Sequence, residues 1–369
     1  MVKYDLRYVD SVSLNEMAES FNKDYLIKED LSCIHLKNAI ITAKGIRTRK
    51  GNALNVRGGG VKRSLQGNYI YLGEWLGIWG HCITDNLKKL WFVTKLNQEG
   101  KLHDYKLCVA KPFKGSYHDN FGQLLLKAGI NIDDIEFIEE STLVENLTVP
   151  DDSIVVKGNS RYYYTEYSSL VNEIRDRIPI VDESPEKIYF TRTGIKKKNR
   201  DFGEKQVEYA FRDMGYKIYS PELLSLDQQL VLLRNCKYFA CTEGSIAHNV
   251  VFCSDNVNIT IIRKVCGLIS YQFTLMDIRN ANATYIDSFL TLYYVFAFWS
   301  GPFLLCMRDN LINYAKNTAG IKLSPHLSKR ALSGYLQSLL YKSLRGRTRP
   351  VKCNNFNFYK RLLKQLLLH

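Results

Sequence analysis

The sequence has no pair of cysteines at Cys-x-x-Cys spacing, although nine cysteines lie between Cys33 and Cys353. Such pairs frame most structural zinc sites. The two nearest cysteines, Cys236 and Cys241, have four residues between them and no cluster of His or acidic residues beside them. The pattern argues against a cysteine-bound metal.

The sequence also lacks an Asp-x-Asp motif in a loop after a predicted strand. Enzymes that bind a substrate phosphate through a divalent ion commonly hold that ion with such carboxylates. The adjacent pairs Asp133-Asp134 and Asp151-Asp152 are typical of solvated turns. We therefore expect no metal and no other cofactor.

The first residues, MVKYDLRYVDSVSLNEMAES, lack the apolar stretch of a signal peptide, which predicts a cytoplasmic protein. Later in the chain, residues 286–307 form an apolar stretch of 22 residues, which is long enough to suggest a membrane span. Polar residues, Gly301 and Pro302 interrupt it, so two elements of a soluble core fit better.

No acidic residue follows Asp309, whereas twelve Lys and Arg residues do, and the whole chain has a net charge of +14. Residues 321–369 therefore form a basic tail, in which 327–345 and 356–368 are predicted helices. Each has a leucine-rich face: Leu332, Leu336, Leu339 and Leu340 in one, Leu362, Leu363, Leu366 and Leu367 in the other. An apolar face beside basic residues suits an anionic membrane surface. Alternatively, both helices pack on the first lobe.

A chain of 369 residues with 46% hydrophobic residues is long enough for two α/β lobes. We place the first lobe at 1–178 and the second at 186–320, with a linker at Pro179 and Pro185. In the second lobe, strands and helices alternate from KIYFTR through EKQVEYAFRDMG, YKIYS, LSLDQQLVLLRNC, KYFAC and IAHNVVF to VNITIIR. Such alternation is typical of a Rossmann-like fold, which binds ligands at the carboxyl ends of its strands.

The second lobe resembles the donor half of glycosyltransferase family 61. That family has an Arg after a strand, a second Arg, Pro-Glu-x-x-Ser-x-x-x-Gln, and His-Gly-Ala-x-x-x-Asn before a Phe. The matching residues here are Arg192, Arg200, Pro221, Glu222, Ser225, Gln229, Glu243, Gly244, Ser245, Asn249 and Phe252.

In the first lobe, residues 80–90 resemble the family's His-x-x-x-Asp-x-Leu-x-x-Leu helix, with His81 and Asp85 in the matching places. The resemblance covers about 80–310, and the order of the motifs carries it. Two departures are visible: Glu243 replaces the usual His, and Glu204-Lys205 stands where Asn-Glu is usual. These departures imply a different choice of sugar or nucleotide.

The resemblance implies a GT-B-like fold, in which two Rossmann-like lobes face a central cleft and a helical tail follows. It implies an inverting glycosyltransferase that moves a sugar from a nucleotide sugar, expected to be a UDP-sugar, to a glycan or lipid-linked acceptor. Such an enzyme would build bacterial surface polysaccharide at the inner face of the cytoplasmic membrane, as a peripheral protein.

Six residues are predicted to bind the donor: Arg192, Arg200, Glu243, Gly244, Ser245 and Asn249. Arginines and a helix N-terminus place fixed positive charge on a departing diphosphate. Gly244 lets the backbone approach closely, and Ser245 is predicted to cap the next helix. Each residue also has a purely structural explanation, namely a turn acid, a surface arginine or a packed helix.

An inverting transfer needs a general base for the acceptor hydroxyl. His81 and Asp85 are four residues apart, which places them on one face of a helix. We expect Asp85 to be the base and His81 to be its partner or a sugar contact.

Two other functions remain open from the sequence. The chain could be a non-catalytic scaffold of a polysaccharide assembly complex, an alternative that the Glu243 departure keeps open. It could also be a basic nucleic-acid-binding protein, since its calculated pI is about 9.2. The sequence has no recognisable nucleic-acid module, so nucleic acid is not an expected partner.

Overall fold

The computed structural model describes residues 3–11, 25–47, 60–111, 119–157, 160–195, 201–267, 271–291, 293–295, 301–344 and 348–350. Its strands, in chain order, are β1 (Lys3–Tyr8), β2 (Leu26–Ile27), β3 (Cys33–Thr42), β4 (Gly45–Ile46), β5 (Arg63–Glu74), β6 (Lys106–Ala110), β7 (Ile135–Ile138), β8 (Thr142–Pro150), β9 (Ile154–Lys157), β10 (Ser160–Tyr164), β11 (Lys187–Phe190), β12 (Asp201–Phe202), β13 (Lys217–Tyr219), β14 (Tyr238–Thr242), β15 (Asn258–Arg263), β16 (Asn282–Asp287), β17 (Tyr293–Val295), β18 (Phe303–Leu304) and β19 (Thr348–Pro350).

The α-helices are α1 (Trp79–His81), α2 (Leu90–Gln98), α3 (Asn120–Lys127), α4 (Thr165–Asp176), α5 (Glu204–Asp213), α6 (Leu226–Asn235), α7 (Tyr271–Ile278), α8 (Asp309–Ala319) and α9 (Lys329–Ser343). A π-helical turn, Cys82–Asn86, follows α1, and a short 3₁₀ helix, Ala247–Phe252, follows β14. The protein is a mixed α/β structure with parallel sheets, as the alternation of the sequence predicts.

The chain divides into two compact units, Asp24–Ile178 and a second unit that takes the described residues of both Met1–Lys23 and Pro179–His369. We call them the middle unit and the terminal unit. The break after Ile178 falls beside the predicted linker at Pro179. The first lobe predicted at 1–178 differs at its start, because β1 pairs with β16 in the sheet of the terminal unit.

The middle unit has a sheet in the order β4-β3-β8-β5-β6-β7. β3 is antiparallel to β4 and β8, whereas β5, β6, β7 and β8 run parallel. Its strands bury Ile41, Tyr69, Cys108, Val144 and Leu147 in one apolar cluster.

The terminal unit has a wholly parallel sheet in the order β1-β16-β15-β14-β11-β13. β14 and β15 read YFACT and NITIIR and are buried over nearly their whole length. Continuous apolar strands of this kind are expected when helices cover both faces of a sheet. At the start of α6, Ser225 and Gln228 form a capping box. Gln229 then donates from Nε2 to the carbonyl of Pro221, which holds the preceding turn.

The structure describes the first of the two predicted tail helices. The predicted helix 327–345 exists as α9, but it packs on the terminal unit, with Ala331 and Tyr335 in the apolar cluster of that unit and Leu332 and Leu339 against it. The second predicted helix, 356–368, lies outside the described residues. No helix within the described ranges is long and apolar enough to cross a membrane.

Candidate active site

The parallel sheet of the terminal unit reverses its strand order beside β11. After β11 the chain adds β13 on one side, and then crosses to add β14 on the other side. In open parallel α/β sheets, ligands bind at such a switch point, outside the carboxyl ends of the strands. The residues that follow β11 and β14 are therefore candidates for a ligand-binding site.

Arg192 follows β11 and takes part in a buried charge cluster. Its Nε lies 2.9 Å from Asp201 Oδ2, and Lys264 Nζ lies 3.1 Å from Asp201 Oδ1. Burial alone would raise the pKa of Asp201, but the charges of Lys264 and Arg192 outweigh it and the pKa is lowered. Two cations thus share one carboxylate, which leaves the cluster with a surplus positive charge.

Glu204 and Glu208 lie on α5 behind this cluster. Glu204 Oε1 accepts hydrogen bonds from the Tyr189 hydroxyl at 3.1 Å and from the Arg192 amide at 3.2 Å. Burial, followed by the negative charge of Asp201, raises the pKa of Glu204 to about 8. Glu204 is therefore mostly uncharged at neutral pH. Glu208 Oε1 accepts from the Thr191 hydroxyl at 2.5 Å.

Glu243 and Gly244 follow β14 on the other side of the switch point. The side chain of Glu243 is buried, and its Oε2 has no hydrogen-bond partner among the described residues. Burial raises the pKa of Glu243 to about 7, although Arg263 and Lys264 act to lower it. Gly244 has a φ of +130°, and a Cβ there would lie 3.7 Å from Lys264 Nζ. Glycine therefore allows this turn and places no side chain against the Lys264 ammonium group.

Ser245 and Asn249 belong to the segment that follows Gly244. The segment after Gly244 is a 3₁₀ helix that begins at Ala247, with Ile246 at its N-cap and no side-chain cap. The predicted capping role of Ser245 is therefore wrong. Asn249 is buried and donates from Nδ2 to the Ile246 carbonyl at 3.0 Å, which ties it to its own turn. Arg200 lies outside the described residues.

His81 and Asp85 come together in the middle unit. His81 Nδ1 lies 2.5 Å from Asp85 Oδ2, which also accepts from the Thr84 hydroxyl at 3.2 Å. The side chains of His81 and Asp85 are 42% and 21% exposed, so both reach solvent. His81 is the last residue of α1, and Asp85 lies on the π-helical turn that follows it, where the sequence predicts a regular helix. Such π turns occur often at functional sites.

Sequence reasoning missed Asp201 and Lys264, the partners that organise Arg192. Lys264 directly follows β15, so the rule that ligands meet the carboxyl ends of strands would have found it. Asp201 had no such signal, because it forms the short strand β12 and reaches Arg192 only through the fold. Within the described ranges, no three His, Cys, Asp or Glu side chains gather where they could hold a metal ion.

Comparison with known proteins supports one family. Residues 79–260 match the family model described as Glycosyltransferase 61. No curated protein matches the chain. Among solved structures, it matches the crystal structure of the bacterial iron-containing dodecameric glycosyltransferase TibC from enterotoxigenic E. coli H10407. That match has 11% identity, covers 86% of this chain and 93% of that chain, and has a TM-score of 0.29. A TM-score this low carries no argument about this chain.

Proposed function

We propose that this chain, a glycosyltransferase whose residues 79–260 form a family 61 domain, transfers a sugar from a nucleotide sugar with inversion at the anomeric carbon. The family match confirms the resemblance that the order of the motifs gives in the sequence. The donor, the inversion and the acceptor are our proposals.

The switch point of the parallel sheet carries the proposal. Arg192 and Lys264 share the single carboxylate of Asp201 there, and the glycine at 244 places no side chain against the Lys264 ammonium group. Fixed cations that face a departing diphosphate stabilise the charge that develops in the transition state. They can supply the charge that a divalent ion supplies in other transferases. We therefore propose that the terminal unit binds a nucleoside diphosphate sugar, with UDP as the nucleotide.

Glu243 supports the sugar side of the same proposal. It is buried next to Gly244, and a carboxyl group with a pKa of about 7 can both donate and accept hydrogen bonds near neutral pH. Hydroxyl groups of the ribose or of the sugar have the same double capacity. We propose that Glu243 contacts one of these hydroxyls, in place of the His that is usual in the family.

We propose that the middle unit activates the acceptor through His81 and Asp85. Since His81 Nδ1 bonds to Asp85, its Nε2 is the ring atom that can take a proton from the acceptor hydroxyl. As that proton moves to Nε2, the acceptor oxygen bonds to the anomeric carbon from the face opposite the diphosphate. The bond from the anomeric carbon to the phosphate oxygen breaks, and the nucleoside diphosphate keeps the electron pair. These roles are the reverse of those expected from the sequence, in which Asp85 is the base and His81 is its partner.

The division of labour that we propose is that of a GT-B enzyme, with the donor held by one unit and the acceptor activated by the other. The proposed acceptor is a glycan or a lipid-linked sugar of a bacterial surface polysaccharide. Glycan hydroxyls are weak nucleophiles, and the His81–Asp85 pair supplies the base that they need.

Replacing Arg192 with alanine should weaken donor binding about 10- to 100-fold, because a charge-assisted hydrogen bond contributes about 1.5–3 kcal/mol. Isothermal titration with UDP and UDP-sugars measures this change. Arg212→Ala is a matched control, because Arg212 is an exposed arginine of the same unit that packs on the Tyr209 ring. Equal affinities for UDP in wild type and Arg192→Ala would remove Arg192 from the donor site.

Transfer activity should survive EDTA, because we propose that arginine and lysine side chains, rather than a metal, balance the diphosphate charge. Initial rates with and without EDTA, followed by addition of Mn²⁺ or Mg²⁺, measure this. A loss of activity that Mn²⁺ restores would show that a metal takes part.

We also propose that α9 brings the enzyme to an anionic membrane at the cytoplasmic face. Leu336, Leu340 and Leu344 are 50%, 63% and 79% exposed and repeat at intervals of four along one face of the helix. Lys342 falls between Leu340 and Leu344 in the sequence, and no acidic residue follows Asp309. An apolar row in a basic surrounding suits a lipid interface, where each Lys or Arg contributes about 1 kcal/mol.

Changing Leu336, Leu340 and Leu344 together to serine should abolish sedimentation with vesicles that contain anionic lipid. Deletion of the tail is the poorer experiment, because α9 also fills the core with Ala331 and Tyr335. Leu223→Ser is the control, since Leu223 is 80% exposed and lies outside α9. A wild-type chain that ignores such vesicles at low salt would contradict the proposal.

A further inference from the structure

A groove of about 830 Å³ opens in the terminal unit between the start of α5 and the side of α9. Thr193, Glu204, Lys205, Tyr209, Arg330 and Gln337 are among the residues that line it. The donor site predicted from the sequence included none of the α9 residues that line this groove. The groove joins the charge cluster of Arg192, Asp201 and Lys264 at Asp201, which belongs to both.

The position of α9 beside α5 is fixed by packing. Gly334 faces Phe202, and a Cβ at Gly334 would lie 2.8 Å from the Phe202 ring, so only glycine allows this approach. Ala331 and Tyr335 anchor the same helix in the core. The groove is therefore a built feature of the unit, with walls on two rigid helices.

The charge balance of the groove is positive. Arg330 is exposed and has no ion-pair partner within the described part of the chain. Lys205 pairs with Glu208 at 2.6 Å, yet its side chain remains 55% exposed. The acids on the floor offset little of this charge, because Asp201 already pairs with two cations and Glu204 is mostly uncharged at neutral pH.

The start of α5 adds further hydrogen-bond donors. Gly203 occupies the N-cap with a φ of +88°, and no side chain caps this end of the ten-residue helix. The first amides of an uncapped helix attract anions. Glu204 Oε2 belongs to a buried carboxyl group that is mostly protonated at neutral pH, and it has no partner among the described residues. An uncapped helix, two cations and a buried carboxyl group without a partner at this atom together point to a ligand.

We propose that this groove binds a phosphate group of a substrate, with Arg330 of α9 as a phosphate-binding residue and Lys205 on the opposite wall. The inference rests on the proposed function, because both substrates of that reaction can carry a diphosphate. A nucleoside diphosphate sugar and a polyprenyl diphosphate-linked acceptor share this chemistry. The C-terminal helix thereby belongs to the substrate site of the terminal unit.

The test is the affinity of Arg330→Ala for two probes, UDP and geranyl diphosphate, measured by isothermal titration. We expect about 10-fold to 100-fold weaker binding of at least one probe, and a smaller loss in Arg330→Lys, which keeps the charge but not the planar fork. Lys329→Ala is the control, since Lys329 is the preceding basic residue and does not line the groove. Arg330 is exposed, so its replacement leaves the core intact.

The outcomes separate the possible sources. Weaker binding of UDP alone assigns the groove to the donor, and weaker binding of geranyl diphosphate alone assigns it to the lipid carrier. Unchanged affinities for both probes overturn the inference. If UDP binding then still requires Arg192, the proposed donor site stands without the groove. If the wild-type chain binds neither probe, the proposed function fails as well.

Discussion

Replacing His81 with alanine is expected to reduce the rate of sugar transfer about 10²- to 10⁴-fold, the usual contribution of a general base. Donor affinity should not change, because His81 belongs to the middle unit and the cations proposed to hold the diphosphate belong to the terminal unit. Single-turnover transfer rates, together with titration of UDP, separate the two effects. The limb of the pH–rate profile that reports the base should disappear in the variant.

The chain provides a matched control for this experiment. His103 and Asp104 form a second His–Asp pair in the middle unit, at 3.3 Å, with side chains 76% and 60% exposed. His103→Ala should therefore keep the full rate. Asp85→Asn should lose part of the rate, since an amide can still accept from Nδ1 but cannot stabilise the imidazolium as a carboxylate does. A full rate in His81→Ala with a collapsed rate in Asp85→Asn would assign the proton to Asp85.

Replacing Asp287 with alanine is expected to lower the free energy of unfolding of the terminal unit by about 3–5 kcal/mol. Asp287 and Arg263 are both fully buried, with Arg263 Nη1 2.9 Å from Asp287 Oδ1. Asp287 Oδ2 also accepts from the amides of Asp10 and Ser11, each at 2.7 Å. The variant leaves a buried guanidinium without its counter-ion and two amides without an acceptor.

Urea denaturation followed by circular dichroism measures this loss, with Glu186→Ala as the control. Glu186 pairs with Lys237, but both side chains are more than half exposed, so solvent screens the pair and little stability should be lost. A denaturation midpoint of Asp287→Ala equal to that of wild type would contradict the expected role of the pair. Replacing Arg263 and Asp287 together with apolar residues should recover part of the loss, because no unpaired charge then remains.

The strands and helices of the terminal unit from β11 to β15 could be predicted well from the sequence, because each is recognisable from its own residues. Each strand is a short apolar run and each helix is amphipathic, so the order from β11 to β15 can be read without tertiary knowledge. Arg192 and Glu243 could be placed for the same reason, since both lie at or near the carboxyl end of a predicted strand. The contact of His81 with Asp85 likewise needs only a helical turn.

Features that depend on distant pairing could not be predicted. β1 reads as an ordinary N-terminal segment, and only the fold joins it to β16. Ser245 has the right chemistry for a cap, but the 3₁₀ helix after the Gly244 turn begins only at Ala247, with Ile246 at its N-cap. In α9, the leucine pattern shows two apolar sides but not which of them faces the core.

The place of β1 in the terminal sheet has a consequence for the order in which the protein folds. β1 leaves the ribosome before the other described strands, but β16, its partner among them, is made about 275 residues later. At typical rates of synthesis this delay is roughly 15–55 s. The middle unit lies wholly within that interval and can fold before the terminal unit is complete. β1 therefore has no β16 to pair with during this interval. Pairing of β1 with a wrong strand in that time is the step at which a chaperone would help most.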